Sequence, residues 1–115
     1  MNNFRELKVW QKSIDMVVDV YEAVQGFPNQ EKFNLISQMQ RAAVSVPSNI
    51  AEGCARHSNP AFANFLSIAL GSAYELETQL IISQRLNYIK EEDVRALQSK
   101  ITEVQRMTFG LMATL

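Results

Sequence analysis

The chain has 115 residues, enough for one domain over residues 1–115 that buries a core without disulfides or metals. Hydrophobic residues make up 47% of it and charged residues 20%, a composition typical of folded helical proteins and not of disordered chains. With 11 Lys and Arg against 12 Asp and Glu, no global positive field attracts nucleic acid or anionic lipid, so such binding needs a local patch.

The cysteine content and the N-terminal sequence indicate a reducing compartment. Cys54 is the single cysteine and cannot form an intrachain disulfide. The start MNNFREL lacks the apolar run of a signal peptide, and no stretch approaches the roughly 18 apolar residues of a membrane span. We therefore expect a cytoplasmic protein that does not enter the membrane.

Apolar residues at steps of three and four predict a first helix from about Arg5 to Gln25. Its predicted core stripe consists of Leu7, Trp10, Ile14, Val17, Val18, Tyr21 and Val24. Gly26 is predicted to end this helix in the left-handed conformation, and Phe27-Pro28 then stops it.

A second helix is predicted to begin at Pro28 or Asn29, with Glu31 in the first turn, where the helix dipole favours a carboxylate. Its predicted stripe consists of Phe33, Ile36, Met39, Ala43, Val46 and Ile50. Pro47 predicts a kink near Ala43 to Val46, because proline lacks a backbone N–H and clashes with the preceding turn. The side chains that could cap the freed backbone groups are Ser45, Ser48 and Asn49.

Asn59-Pro60 predicts the start of a third helix, as an N-cap followed by proline at the first helical position. Its predicted core stripe consists of Phe62, Phe65, Leu66, Ala69, Ala73, Leu76 and Leu80, and Asn87 is predicted as its left-handed end. The apolar residues on a different side are Leu70, Tyr74 and Ile81. Because monomers rarely expose a large apolar patch, we predict that these three residues face another subunit.

A last helix is predicted to begin at Glu91, Glu92 and Asp93, three carboxylates that suit the helix N-terminus. Its narrow apolar face consists of Val94, Leu97, Ile101, Val104 and Leu111. The sequence contains no β pattern, internal repeat or linker. Four helices with short connections predict an all-α fold, an up-down-up-down antiparallel four-helix bundle.

Polar residues follow one side of both central helices. On the second helix they are Gln38, Arg41, Ser45, Asn49, Glu52 and Arg56, and on the third they are Asn64, Ser67, Gly71, Glu75 and Thr78 or Gln79. If the two helices fold back on each other, Arg41 comes level with Glu75 and Ser45 with Gly71. We therefore predict that the two rows meet and that Arg41 and Glu75 form a coupled pair.

The polar rows allow two interpretations. One is a structural seam that fixes the register of the helix pair, as buried polar groups sometimes do. The other is a ligand or partner site lined by Arg41, Asn49, Glu52 and Arg56. The candidate site residues on the two helices together are Arg41, Ser45, Asn49, Glu52, Arg56, Ser72 and Glu75.

The remaining chemically distinctive residues favour structural roles. Cys54 and His57 have a C-x-x-H spacing, but nothing elsewhere completes a metal site or a catalytic pair, so we expect a core cysteine and an exposed loop histidine. Gly53 and Gly71 lie inside helices, where glycine costs about 1 kcal/mol relative to alanine, which predicts close helix approach. Without a phosphate loop, Rossmann fingerprint or spaced carboxylate pair, no cofactor and no catalytic residue are expected.

Several motifs together resemble a known family. They are Leu7-Lys8-Val9-Trp10-Gln11, Phe27-Pro28, the run from Gln38 through Arg41-Ala42-Ala43 to Asn49-Ile50-Ala51-Glu52-Gly53, and Phe65-Leu66-x-Ile68-Ala69-x-Gly71-Ser72-x-x-Glu75-Leu76. They are similar to the four-helix-bundle proteins encoded in intervening sequences of bacterial 23S ribosomal RNA genes, and also to accessory proteins of diversity-generating retroelements. The resemblance covers nearly the whole chain. It implies a ring-shaped homopentamer and an association with RNA or ribosomes.

We therefore expect a non-enzymatic homo-oligomeric scaffold, a pentamer by resemblance, with weak RNA or ribonucleoprotein association. The retroelement proteins bind nucleic acid through a basic surplus that this chain lacks. RNA binding should therefore be weak and fall steeply with salt, since only local groups such as Arg41 and Arg56 can contact phosphate. The alternative is a small-molecule-binding or catalytic bundle that uses Arg41 and Glu52.

Overall fold

The computed structural model describes residues 3–115, which form four α-helices joined by short connections. The helices are α1 (Lys8–Val24), α2 (Leu35–Cys54), α3 (Asn59–Arg85) and α4 (Glu91–Ala113). Single turns of 3-10 helix at Phe4–Glu6 and Asn29–Glu31 precede α1 and α2. No strand occurs in this part of the chain, so the all-α prediction is confirmed.

Helices that are adjacent in sequence pack against each other, and α1 also packs against α4, which closes a four-helix bundle. Side-chain contacts run in opposite directions along neighbouring helices: Lys12 pairs with Glu103, whereas Asp19 pairs with Lys100. The molecule measures 44 × 25 × 20 Å, and its long dimension follows α3, whose 27 residues extend about 40 Å. Each helix therefore buries one face in a shared core.

The core is formed by aliphatic and methionine side chains from all four helices. Its largest fully buried members are Met16, Met39, Ile50, Leu66, Leu76, Leu80 and Ile101. The stripe predicted for α3 is confirmed except at Phe65, which is half-buried. The stripe predicted for α4 is buried as far as Val104, and Leu111 packs at its edge.

The predicted core stripe of α1 is right at Val24, which is buried, and wrong at most other positions, where Leu7, Trp10 and Val17 only pack against the edge of the core. The buried side chains are Val9, Ser13, Met16, Val20 and Val24, whereas Val18 and Tyr21 are exposed and Trp10, Ile14 and Val17 are half-buried. Two neighbouring stripes of α1 share the helical period, so periodicity alone does not choose between them. Packing against α2 and α4 buries the stripe that contains Met16.

The start of α2 also differs from the prediction. The chain makes a single 3-10 turn at Asn29–Glu31, and α2 begins only at Leu35. Phe33 lies ahead of the helix and is 88% exposed, so it is not the core residue that the periodicity predicts. Gly26 does not adopt the predicted left-handed conformation, because the chain turns with Gln25 still right-handed and the N–H of Phe27 donating to Val24.

Pro47 lies inside α2, which runs as one helix from Leu35 to Cys54. The side chains predicted to cap the backbone group freed by the proline form no bond to it: the carbonyl left without its helical donor is that of Ala43, whereas Asn49 Nδ2 donates to the Ser45 carbonyl oxygen at 2.8 Å. The helix nevertheless continues to Gly53 and Cys54.

Both ends of α3 carry capping groups. The N-cap is Ser58, one residue before the predicted Asn59; its hydroxyl accepts from the N–H of Ala61 at 3.3 Å. Asn87 ends the helix as predicted, with φ of 61°, and lets the N–H of Tyr88 reach the carbonyl of Ser83. The chain then turns directly into α4.

Candidate functional site

The two polar rows do not meet as predicted, because the α2 row bonds across the interface to Ser72, which is not in the predicted α3 row. The hydroxyls of Ser45 and Ser72 lie 2.8 Å apart and share a hydrogen bond across the helices. Asn49 Nδ2 donates to Ser45 Oγ at 2.9 Å, so three polar side chains form one half-buried network. The predicted register paired Ser45 with Gly71, and the observed partner is the next residue, Ser72.

The predicted Arg41–Glu75 pair does not form. Arg41 is exposed, and its guanidinium donates to Ser37 Oγ at 2.6 Å, one turn earlier on the same helix. Glu75 is also exposed and accepts from Gln79 at 3.4 Å. Neither takes part in the ion pairs that residues 3–115 form. Water solvates both charges, and no buried charge requires a partner.

Glu52 lies near the C-terminal end of α2 and Arg56 just after it, and neither joins the network. Both are exposed, and the Arg56 guanidinium lies 4.5 Å from the centroid of the Phe65 ring on α3. This contact is a cation–π interaction that leaves the charge in water. Of the predicted site residues, the structure thus joins Ser45, Asn49 and Ser72, and leaves the four charged residues at the surface.

Gly53 lets α2 and α3 approach closely. A Cβ atom at this position would lie 2.7 Å from Cδ1 of Phe62 and 3.0 Å from Cβ of Phe65. No such reason holds for Gly71: it is exposed, and a Cβ there would meet nothing within 4 Å. The prediction of close helix approach within the subunit is confirmed at Gly53 and wrong at Gly71.

A second polar network, which periodicity does not predict, links α3 to α4. Glu77 accepts hydrogen bonds from Gln98 at 3.1 Å and from Gln105 at 2.8 Å. On the opposite side of α3, Gln79 is 5% exposed, and its Oε1 accepts no hydrogen bond from residues 3–115. The sequence feature that could have predicted these contacts is a set of glutamines at the spacing of core residues.

The outward side of α3 carries apolar residues around a central glycine. We call it the α3 outer face, formed by Ile68, Gly71, Tyr74, Glu75, Thr78, Ile81 and Ile82. Tyr74 is 54% exposed and Ile81 is 44% exposed, whereas Leu70, the third predicted interface residue, is half-buried. The predicted apolar patch therefore exists with Tyr74 and Ile81 in it and Leu70 at its edge.

A groove between α1 and α2 was not predicted from the sequence. Three adjoining depressions follow this helix pair, and they share Val44 at one junction and Tyr21, Ser37 and Gln40 at the other. We call this surface the α1–α2 groove; its apolar lining includes Phe4, Trp10, Ile14, Val17, Tyr21, Phe33, Ile36, Val44, Pro47 and Ala51. The sequence feature that could have predicted it is the apolar stripe of α1 that remains outside the core, which contains Trp10, Ile14, Val17 and Tyr21.

The single cysteine and the single histidine lie where the sequence predicts. Cys54 is buried, and burial raises the pKa of its thiol, which is therefore protonated at neutral pH. His57 is exposed in the connection before α3. Residues 3–115 contain no cluster of three or more His, Cys, Asp or Glu residues that could hold a metal ion.

None of the helices within residues 3–115 combines the length and the apolar character needed to cross a bilayer.

Comparison with known proteins gives a family and solved structures of similar shape. A family model described as the 23S rRNA-intervening sequence protein matches residues 5–110. A crystal structure of a protein of unknown function from the S23 ribosomal protein family of Bacteroides thetaiotaomicron VPI-5482 superposes with a TM-score of 0.84 and 28% sequence identity. The alignment covers 91% of this chain and 95% of that one. No curated protein matches the chain.

The family match agrees with the four helices and with the motifs in them. It spans all four helices but for the last few residues of α4, and the similar structure has the same overall shape over nearly its whole length. The chain therefore belongs to the 23S rRNA-intervening sequence protein family.

Proposed function

We propose that the protein is a non-enzymatic scaffold that assembles from identical subunits through the α3 outer face. The observation that carries this proposal is the exposure of Tyr74 and Ile81 on a helix whose opposite side already fills the core. Apolar patches of this kind on soluble proteins mark interaction sites. The proposed number of subunits, five, rests on the resemblance to ring-forming bundle proteins alone.

Sedimentation equilibrium at micromolar concentration tests this assembly. The wild-type protein should sediment as one species well above the 13.0 kDa of the monomer. Replacing both Tyr74 and Ile81 with lysine should release folded monomers, because the interface must then bury two charges. A matched control on α4, Ser99→Lys, adds a lysine at an exposed site away from the face and should leave the mass unchanged.

Three outcomes contradict parts of the proposal. A wild-type monomer would reject the oligomer. A closed dimer would reject the pentamer and retain the apolar interface. If the Tyr74 and Ile81 variant loses its helical circular dichroism, these side chains contribute to the fold of the subunit and not to an interface.

We also propose a weak association with RNA through exposed cations on and next to α2. Arg41 lies on this helix, Arg56 just after its last residue and Lys32 before its first, and all three are exposed. Support comes from their exposure and from the family's link to 23S ribosomal RNA genes. The near-neutral net charge of −1 limits the expected affinity, because few phosphates can be neutralised.

A further inference from the structure

The α1–α2 groove has the length and the lining of a site for a helix. From Ile36 to Ala51 the α2 side of the groove extends about 22 Å. The charged residues that line its three depressions are Lys32 and Arg41. The carboxylates of Asp19 and Glu22 line a separate depression between α1 and α4. The groove is therefore apolar along its floor and positively charged at its rim.

The α3 outer face has matching dimensions and a matching charge. From Ile68 to Ile82 it extends about 21 Å, nearly the length of the groove. Glu75 contributes a carboxylate near its centre, and Arg85 lies beyond its C-terminal end. Exposed Tyr74, Ile81 and Ile82 supply side chains of the size that an apolar groove accommodates.

Gly71 gives the α3 outer face a flat centre. It lies seven residues before Thr78, so both small residues lie on the same side of the helix. A Cβ at Gly71 would meet nothing within 4 Å, so packing inside the subunit does not explain a glycine that weakens the helix. A second helix pair approaching from outside would benefit from the missing side chain.

We propose that the α1–α2 groove of one subunit receives the α3 outer face of the next, with Glu75 of one copy facing Arg41 and Lys32 of the other. This inference rests on the proposed homo-oligomer and specifies its contact. The two surfaces are different parts of the chain, so the contact is head-to-tail, and it forms a ring when the rotation between subunits closes. Arg41 and Glu75, which do not pair within the subunit, then pair between subunits.

A mixing experiment with two variants separates this contact from any symmetric one. Val44→Glu places a carboxylate in the groove, where it repels Glu75 of the incoming face. Gly71→Arg fills the centre of the face, where the subunit itself leaves open space. Arg41→Glu is a second groove variant at a fully solvated position, and Ser99→Glu on α4 is the matched control for an added carboxylate. Circular dichroism verifies that every variant keeps its helices.

The expected results are specific to a head-to-tail contact. Val44→Glu and Gly71→Arg should each sediment as monomers, because every contact needs one intact groove and one intact face. Mixed in equal amounts, they should form a one-to-one dimer of twice the 13.0 kDa subunit mass, since the intact face of the first variant fits the intact groove of the second. Ser99→Glu should keep the wild-type mass.

The contrary results distinguish this contact from the oligomer itself. If the wild type assembles but Val44→Glu or Arg41→Glu keeps the wild-type mass, the groove holds no subunit and the inference is wrong, while the scaffold stands. If Gly71→Arg keeps that mass, or if the mixture stays monomeric, the contact is not between groove and face. A monomeric wild type overturns both proposals.

Discussion

Gly53 and Gly71 both interrupt a helix, yet their surroundings give them opposite roles. At Gly53 the missing side chain allows the Phe62 ring to lie against the α2 backbone. At Gly71 the space outside the helix is open. Since glycine costs a helix the same at either position, the sequence alone cannot distinguish the two. An added methyl group clashes with α3 at Gly53, where a second helix packs, and meets open space at Gly71, where none does.

Gly53→Ala should lower the free energy of unfolding by up to about 2 kcal/mol. Overpacking costs roughly 1–3 kcal/mol and exceeds the helix propensity gained, about 1 kcal/mol, because the buried Phe62 ring and the Phe65 Cβ cannot both move away. Urea denaturation measures the change. Gly110→Ala, where an added Cβ meets nothing within 4 Å, is the control and should be neutral or stabilising. A stabilised Gly53→Ala variant would show that the helices are not closely packed there.

The connections between helices also contribute to the fold, and two of them meet at one end of the bundle. The hydroxyl of Tyr88, after α3, donates to the Glu31 carboxylate, before α2, at 2.8 Å. The Tyr88 ring packs against Phe27, with ring centroids 5.4 Å apart. The hydrogen bond to Glu31 raises the pKa of Tyr88, and burial raises it further. This contact joins the α1–α2 connection to the α3–α4 connection. It therefore holds the α1–α2 helix pair against the α3–α4 helix pair.

Tyr88→Phe should lower stability slightly at neutral pH and reduce its loss at alkaline pH. Because the folded state raises the pKa of Tyr88, the stabilisation is complete below the unfolded value of about 10 and is lost as pH rises through the folded value. Urea denaturation at about pH 9 and about pH 11 should show the wild type approaching the variant at the higher pH. Tyr74→Phe, which changes an exposed tyrosine on α3, is the matched control. A difference that does not change with pH would contradict the Tyr88–Glu31 bond.

At the scale of the whole molecule, the charge differs between the two surfaces on either side of α1. The depression between α1 and α4 is lined by Asp19, Glu22 and Asp93, whereas the α1–α2 groove is lined by Lys32 and Arg41. Lys100, between α1 and α4, bonds to Asp19, and that hydrogen bond raises its pKa, so the cation is already paired. Of the cations on and next to α2, Arg56 is exposed and lies outside the groove, so the proposed subunit contact leaves it available to an anionic partner.

RNA binding should be weak, fall steeply with salt and depend on Arg56. Each phosphate contact contributes roughly 0.7–0.9 to the slope of log affinity against log salt concentration, so Arg56→Gln, which removes a cation that the proposed subunit contact leaves exposed, should lower that slope by about 1. Fluorescence anisotropy with a structured RNA at several salt concentrations measures it. Arg95→Gln on α4 removes a cation elsewhere and should leave the slope unchanged. Tight binding that persists at high salt would contradict an electrostatic contact through Arg56.

Most of the fold follows from interactions between residues that are close in the sequence. The helix ends follow from residues that act on their own backbone: Asn87 adopts the left-handed conformation and three carboxylates begin α4. Helical period and a short connection fixed the α2–α3 register to within one residue, as the Ser45–Ser72 bond shows. These features depend on neighbours in the chain, which the sequence displays.

Tertiary packing decided what the sequence left ambiguous. The Met16 stripe and the Tyr21 stripe of α1 have the same period, and the core selected the first. Exposure to water made the Arg41–Glu75 pair unnecessary, and a late start of α2 left Phe33 outside the core. Burial depends on residues distant in sequence, so only the assembled bundle shows which apolar and charged groups remain at the surface to form a site.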